Sequence, residues 1–231
     1  MQCSLYGKVP AKRDFIAIGA PREFLNAWEP WLQGAISASR TELAEKWQSA
    51  FLTAPIWRFW LGADICGRTV IGAFMSSLDG VGRYFPLTLF ACADDNAAIP
   101  PPEFGSQDDW FDAAETFLMS TLDHDVQFEA MTAELGALPP PFQELRQTAA
   151  QDAACDASNN RPCAIPARGH NFSELFGSIR VRDHARIYAG STFWWTVGGE
   201  GIAPVALSGK GMPDPYLFSA MLTGEIADAP V

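Results

Sequence analysis

The chain has 231 residues, of which 48% are hydrophobic, 12% aromatic and 19% charged. This composition excludes an intrinsically disordered chain and supplies enough apolar surface for one large core, so we predict a single domain over residues 1–231. The net charge of −11, without clustered Lys or Arg, disfavours nucleic acid and anionic membranes as partners, because both carry negative charge.

The sequence also indicates a compartment. No apolar run approaches the roughly 18–20 residues that a membrane-spanning helix needs, and the opening residues MQCSLYGKVP do not resemble a signal peptide. The five cysteines are an odd number, which fits free thiols in a reducing cytoplasm. We therefore predict a cytoplasmic protein without membrane insertion.

The first half of the chain combines one helix with four strands. A short strand at residues 3–7 leads into a loop containing Gly7 and Pro10. Apolar residues then recur every three or four positions from Phe24 to Trp47, which predicts a helix with one buried face. Pro30 lies inside this pattern, so we expect a kink there or two abutting helices.

Three strands follow, at residues 55–61, 69–75 and 83–92. No helical pattern separates them, which predicts antiparallel neighbours in one sheet. Asp79 and Gly80 are expected to form a turn between two of these strands. Because Pro86 cannot donate a hydrogen bond to a neighbouring strand, it should lie at an edge, at a bulge or in the first residues of its strand.

The second half predicts helices at about 107–123 and 125–136, strands at 191–199 and 202–211, and a short helix that ends at Gly224. Residues 148–169 are small, polar and aperiodic, and we predict a mobile loop there. The fold class is mixed α/β: a single-domain sandwich in which helices flank both faces of a largely antiparallel sheet.

Motifs for cofactors and catalysis are incomplete. The Gly-Lys pair at residues 7–8 lacks the other glycine and the Ser or Thr of a phosphate-binding loop, and GVGRYF lacks the third glycine of a dinucleotide fingerprint. Neither HExxH nor GxSxG occurs. Asp-His-Asp at 123–125 fits a turn between helices better than a metal site, and the spacing of Cys155 and Cys163 fits no zinc motif. We predict no cofactor, no metal and no enzymatic activity.

Aromatic residues are more conspicuous than catalytic ones. Trp194 and Trp195 are adjacent in a predicted strand, so their side chains point to opposite faces of the sheet. If helices cover both faces, both residues belong to the core. If one face is open, one of the two is an anchor for a partner, because exposed aromatic residues are frequent in binding hot spots.

Six blocks together resemble the TagF (ImpM) family of bacterial type VI secretion. In chain order they are GKVPAKRDFI, PREFLNAWEPWLQ, FLTAPIWRFWL, SLDGVGRYFPLTL, FWWTVGG and GKGMPDPYLFSAML. The chain departs from the family pattern at Arg13, where the family usually has glycine, and arginine tolerates the positive φ of a tight turn poorly.

The resemblance implies an accessory regulator that represses assembly of the secretion apparatus after translation, by binding the forkhead-associated scaffold protein. A phosphatase or kinase of the threonine-phosphorylation pathway would be a separate protein. The residues that match the family blocks, and that we take as candidates for partner binding, are Gly7, Lys8, Pro10, Asp14, Phe15, Trp57, Arg58, Asp79, Gly82, Arg83, Phe85, Pro86, Trp194 and Trp195.

Two interpretations of the charged candidates stay open. In the first, Lys8, Arg58 and Arg83 give polar specificity to an interface, while Asp14 and Asp79 fix the loops that carry them. In the second, Arg58 and Arg83 form internal salt bridges with those same aspartates. Two rival functions also stay open: a hydrolase or phosphoryl-transfer enzyme that uses Asp79 and Arg83, and a structural component of the apparatus.

Overall fold

The computed structural model describes residues 1–123, 125–145, 163–165 and 171–226. The loop predicted at 148–169 lies outside the described residues except for 163–165, and so do His124 of the Asp-His-Asp sequence and Cys155.

The strands are β1 (Cys3–Gly7), β2 (Ile16–Ile18), β3 (Trp57–Leu61), β4 (Val70–Met75), β5 (Leu87–Cys92), β6 (Ala97–Ala98), β7 (Glu144–Leu145), β8 (Ser191–Thr196) and β9 (Val205–Lys210). Seven of them form one sheet in the order β2-β1-β5-β4-β3-β8-β9, and β6 pairs with β7 separately. Every neighbouring pair in the main sheet is antiparallel, as the absence of helical patterns between the first strands predicts.

The helices are α1 (Arg22–Leu43), α2 (Trp47–Thr53), α3 (Ala63–Cys66), α4 (Asp108–Ser120), α5 (Phe128–Ala137), α6 (Phe172–Arg182), α7 (His184–Ile187) and α8 (Leu217–Thr223). A single turn of 3₁₀ helix, Ala44–Lys46, joins α1 to α2. The short helix α8 ends at Gly224 with a positive φ, as predicted from the sequence.

Helices cover both faces of the sheet, so the predicted fold class is confirmed. One core lies between the sheet and α1, α2 and α8, and a second lies between the opposite face and α4 and α5. In β3, for example, Trp57 and Phe59 face the first core while Trp60 faces the second. This alternation is the consequence of the strand's two-residue period.

The chain around Pro30 forms one continuous helix and not two abutting helices, which was one of the two expected arrangements. α1 continues through Pro30 to Leu43, so two abutting helices are not formed. The residues on either side, among them Phe24, Trp28 and Trp31, are buried against the sheet. Burial of this aromatic face outweighs the roughly 3 kcal/mol by which an interior proline disfavours a helix.

Some elements differ in extent from the prediction. β5 begins at Leu87 rather than at residue 83, because the chain from Tyr84 to Pro86 makes only one isolated bridge, between Tyr84 and Leu78. Pro86 therefore lies directly before the strand, where its missing N–H is harmless. The short elements β2, β6, β7, α3, α6 and α7 were not predicted from the sequence. The one-turn helix α3 lies between β3 and β4, where no helix was expected, but it does not prevent their antiparallel pairing.

The cysteines correct one expectation. Cys3, Cys66 and Cys92 are free, as expected, but Cys163 is disulfide-bonded. Pairing depends on the distance and direction of two side chains in space, which spacing in the sequence does not give. In the part of the chain that the structure describes, no helix is long and apolar enough to cross a membrane, and no three metal-binding side chains converge.

Candidate functional site

The connection between β4 and β5 forms a tight loop around Asp79. The Asp79 N–H donates to the Arg83 carbonyl at 3.1 Å, and the Gly82 N–H donates to the Asp79 carbonyl at 2.9 Å. Leu78 and Tyr84 form a β-bridge across the base of the loop. The turn that the sequence predicts at Asp79 and Gly80 is therefore confirmed, and it lies between antiparallel strands.

The Asp79 carboxylate is the centre of this loop, and its side chain is 0% exposed. Its Oδ1 atom accepts hydrogen bonds from the N–H groups of Val81 and Arg83 at 3.1 and 2.9 Å. Its Oδ2 atom contacts Arg83 Nε at 2.7 Å and Lys8 Nζ at 3.0 Å. One buried anion therefore ties the end of β1 to the β4–β5 loop.

These contacts determine the ionisation of Asp79. Burial by itself raises the pKa of the carboxyl, but hydrogen bonds from the Arg83 backbone, the Lys8 and Arg83 side chains and the Val81 backbone outweigh burial and hold the pKa well below its usual range. Asp79 is therefore an anion at neutral pH. A general base is most effective with a pKa near the operating pH, so Asp79 is unsuited to that role.

Three side chains beside this buried centre are exposed: Phe15 at 52%, Val81 at 56% and the Arg83 side chain at 58%. We call Phe15, Val81 and Arg83 the loop surface. The Arg83 guanidinium donates to the Arg13 carbonyl. The Phe15 ring packs edge-on against Phe85 with centroids 4.7 Å apart. The loop surface is therefore held in place by contacts beneath it.

The block GKVPAKRDFI, residues 7–16, lies against the β4–β5 loop and contributes Lys8 and Phe15 to this site. Pro10 lies in a turn closed by the Lys12 N–H, which donates to the Val9 carbonyl at 3.1 Å. Arg13 has no positive φ, so glycine is not required at that position. Asp14 is exposed. Among the residues that the structure describes, Asp14 forms no ion pair with Lys8, Arg58 or Arg83.

Arg58 belongs to a second cluster. Its side chain is 6% exposed and contacts three acidic residues of α4: Nε with Glu115 at 2.5 Å, Nη2 with Asp112 at 3.3 Å and Nη1 with Asp108 at 3.7 Å. The guanidinium also lies 4.9 Å from the centre of the Phe111 ring. Arg83 thus forms the salt bridge with Asp79 that the second interpretation expects, while its side chain stays exposed toward solvent. Arg58 pairs with α4 and not with Asp14 or Asp79, so the second interpretation is wrong for Arg58.

The three tryptophans predicted as candidates occupy different environments. Trp57 is buried and its indole N–H donates to the Met221 carbonyl at 2.9 Å. Trp194 is also buried, in the core formed with α1. Trp195 is half-buried on the opposite face and packs edge-on against Phe111, with centroids 5.0 Å apart. Trp57 and Trp194 thus have packing roles, like buried Phe85 and Pro86.

A cleft lies beside Trp195 and was not predicted. It has a volume of about 480 Å³ and is lined by Phe193, Trp195, Pro102, Asp108 and residues of the edge strand β9. The only sequence signal for it was the adjacent pair Trp194 and Trp195. The site residues that sequence reasoning missed are Val81 and the acidic residues of α4.

Comparison with known proteins identifies the family. Residues 4–138, more than half of the chain, match the family described as the TagF N-terminal domain, type VI secretion system-associated. The chain belongs to the TagF family. It is therefore a type VI secretion system-associated protein, as its six sequence blocks predict.

Solved structures extend the likeness over the whole chain. The crystal structure of PA0076 from Pseudomonas aeruginosa PAO1 is 30% identical to this TagF-family chain, with a TM-score of 0.79. The alignment covers 100% of this chain and 98% of PA0076. The comparison with curated proteins gave no match. The loop surface and the Arg58 cluster lie within the matched TagF region, whereas Trp195 and β9 lie beyond it.

Proposed function

We propose that this TagF-family chain acts in the cytoplasm as a post-translational repressor of type VI secretion, by binding the forkhead-associated scaffold protein of the apparatus. The observation that carries the proposal is the loop surface of Phe15, Val81 and Arg83. Phe15 lies just before β2 and Arg83 in the β4–β5 loop, and exposed aromatic and arginine side chains held together in this way are the composition of a binding hot spot. Because both segments are already held by the contacts of Arg83 with Arg13 and of Phe15 with Phe85, binding costs little conformational entropy.

The same contacts argue against the alternative of a hydrolase or phosphoryl-transfer enzyme that uses Asp79 and Arg83. The Asp79 side chain is inaccessible to solvent, and both of its oxygens already accept hydrogen bonds within the protein. A substrate would have to displace Lys8 or Arg83 to reach the carboxylate. A kinase or phosphatase of the threonine-phosphorylation pathway would act as a separate protein.

Arg83→Ala is expected to weaken binding of the forkhead-associated scaffold at least tenfold while leaving the protein folded, because the buried pair of Lys8 and Asp79 remains. The measurement is a quantitative pull-down with purified scaffold. Phe15→Ala should have a similar effect. The matched control is Arg182→Ala, which removes an exposed arginine from α6 and should bind like wild type.

Secretion separates repression from a structural role. Overproduction of the wild-type chain should lower type VI secretion, and Arg83→Ala should not. Unchanged secretion on overproduction would mean that repression is the wrong activity. If the wild type does not bind the scaffold at all, the proposed partner is wrong. If Arg83→Ala binds as well as wild type, the loop surface is not the interface.

A further inference from the structure

The edge strand β9 leaves one row of backbone groups unpaired. The Gly211 N–H donates to the Gly190 carbonyl at 2.9 Å, which makes Ser191 and Lys210 a non-hydrogen-bonded pair of the β8–β9 ladder. Pairs alternate along an antiparallel ladder, so Val205, Leu207 and Gly209 bond to β8. The N–H and C=O groups of Ala206, Ser208 and Lys210 therefore point away from the sheet.

The outer side of β9 is accessible. β9 is the last strand of the sheet order, and no described residue forms a ladder on its outer side. Ala206, Ser208 and Lys210 are all exposed. Pro204 precedes β9 and Lys210 is its last residue. Proline and lysine discourage pairing at sheet edges, but these two residues leave the outward N–H and C=O groups of Ala206 and Ser208 accessible.

The cleft described above runs along this edge. Ala206 and Ser208 are the cross-strand partners of Trp195 and Phe193 and therefore share their face of the sheet. Because Ala206 and Ser208 are small, they leave the two aromatic rings incompletely covered, and Pro102 also lines the cleft. The edge thus offers backbone hydrogen bonds together with an apolar pocket for alternate side chains, which is the arrangement that binds an added strand.

The charge beside the cleft is negative. Asp108 lines it with a side chain that is 66% exposed, and Asp112 on the same helix is 73% exposed. Together with Glu115 they contribute three negative charges, which Arg58 offsets by only one, leaving a local charge of −2. A partner carrying Lys or Arg beside its apolar residues complements this rim.

We propose that β9 binds an extended segment of a partner protein by strand addition. The segment would place alternate apolar side chains beside Trp195 and Phe193 and basic side chains near Asp108 and Asp112. This surface is separate from the loop surface, so it adds a second binding site to the proposed function and does not depend on it.

The synthetic peptide KKVTVTVKK is the probe, titrated by fluorescence anisotropy against the full chain. We expect saturable binding, and binding at least tenfold weaker for EEVTVTVEE, whose ends repel the acidic rim. The decisive variants are Ser208→Pro, which removes one outward N–H, and Ser208→Ala, which keeps it. Proline is tolerated at an edge position whose N–H faces solvent, so circular dichroism should show both variants folded.

Ser208→Pro is expected to weaken KKVTVTVKK binding roughly tenfold, and Ser208→Ala should leave it unchanged. Arg83→Ala should also bind this peptide like wild type, which distinguishes the edge from the loop surface. Hydrogen exchange gives a direct readout: the amides of Ala206, Ser208 and Lys210 should exchange rapidly in the free protein and become protected with peptide.

Three results would overturn the proposal. One is the absence of saturable peptide binding to the wild type. Another is equal binding by Ser208→Pro and wild type, which would mean that backbone pairing with β9 is not involved. The third is a dimer, detected by sedimentation, that Ser208→Pro converts to monomer, because then a second copy of the chain occupies the edge.

Discussion

Asp79→Asn is expected to lower the free energy of unfolding by about 3–5 kcal/mol, the usual cost of breaking a buried ion pair by removing one partner. The substitution keeps the size of the side chain but removes its charge. The Lys8 side chain is 8% exposed and would be left as a buried cation without its anion. Urea unfolding of the two proteins gives the difference directly.

Two further variants make this prediction specific. Asp14→Asn changes an exposed aspartate of the same region and should alter stability by no more than about 0.5 kcal/mol. Combining Asp79→Asn with Lys8→Met removes both charges and should recover part of the loss, because no buried cation remains. If the double variant is no more stable than Asp79→Asn, the unpaired charge of Lys8 is not the cause.

The effect of Asp79→Asn should also depend on pH. The pKa of Asp79 is lower in the folded protein than its usual value of about 4. Its contribution to stability is therefore fully present above about pH 4 and is lost as the pH falls through the lower, folded-state pKa. Urea unfolding should be measured for both proteins from neutral pH to pH 3. The difference in free energy of unfolding between wild type and Asp79→Asn should become smaller below about pH 4. A difference that stays constant over this pH range would contradict the claim that the ionised Asp79 carboxylate stabilises the folded protein.

The sequence predicted those parts of the fold that depend on neighbouring residues. The longer strands and helices, such as β3, β4 and α1, follow from apolar periodicity, and the Asp79 turn follows from Asp and Gly between two apolar runs. The pairing of Arg83 with Asp79 spans only four residues and was one of the two alternatives considered. Local chemistry was enough for these features.

The parts that were missed depend on contacts between distant segments. Arg58 pairs with Asp112 and Glu115, more than fifty positions away, because α4 packs across the same face of the sheet. In the sequence, Asp108 fits the positive N-terminus of a helix equally well. The cleft at Trp195 requires the sheet order, which places β9 at the edge. No spacing in a single sequence contains this information.

Gly7→Ala is expected to lower the free energy of unfolding by more than about 4 kcal/mol. Losses of this size are exceptional for single substitutions and arise from only a few causes, of which strain at a special backbone conformation is one. Gly7 ends β1 with φ of +138°, a conformation that side chains rarely adopt, and an added Cβ would lie 2.2 Å from the Pro86 carbonyl oxygen. The carbonyl belongs to backbone directly before β5, so it cannot move without disturbing the sheet. Urea unfolding measures the loss.

Gly82→Ala is the matched comparison, because Gly82 also has a positive φ, of +84°, but an added Cβ there meets nothing within 4 Å. Gly82→Ala should lower the free energy of unfolding by only about 1–2 kcal/mol, the usual cost of placing a residue with a side chain in a left-handed conformation. The difference between the two losses measures the contact with Pro86 together with the greater backbone strain at φ of +138°. Equal losses would show that neither adds to the cost of a positive φ. Because Gly7 precedes Lys8, Gly7→Ala should also displace the cation that holds Asp79, and with it the loop that presents Arg83.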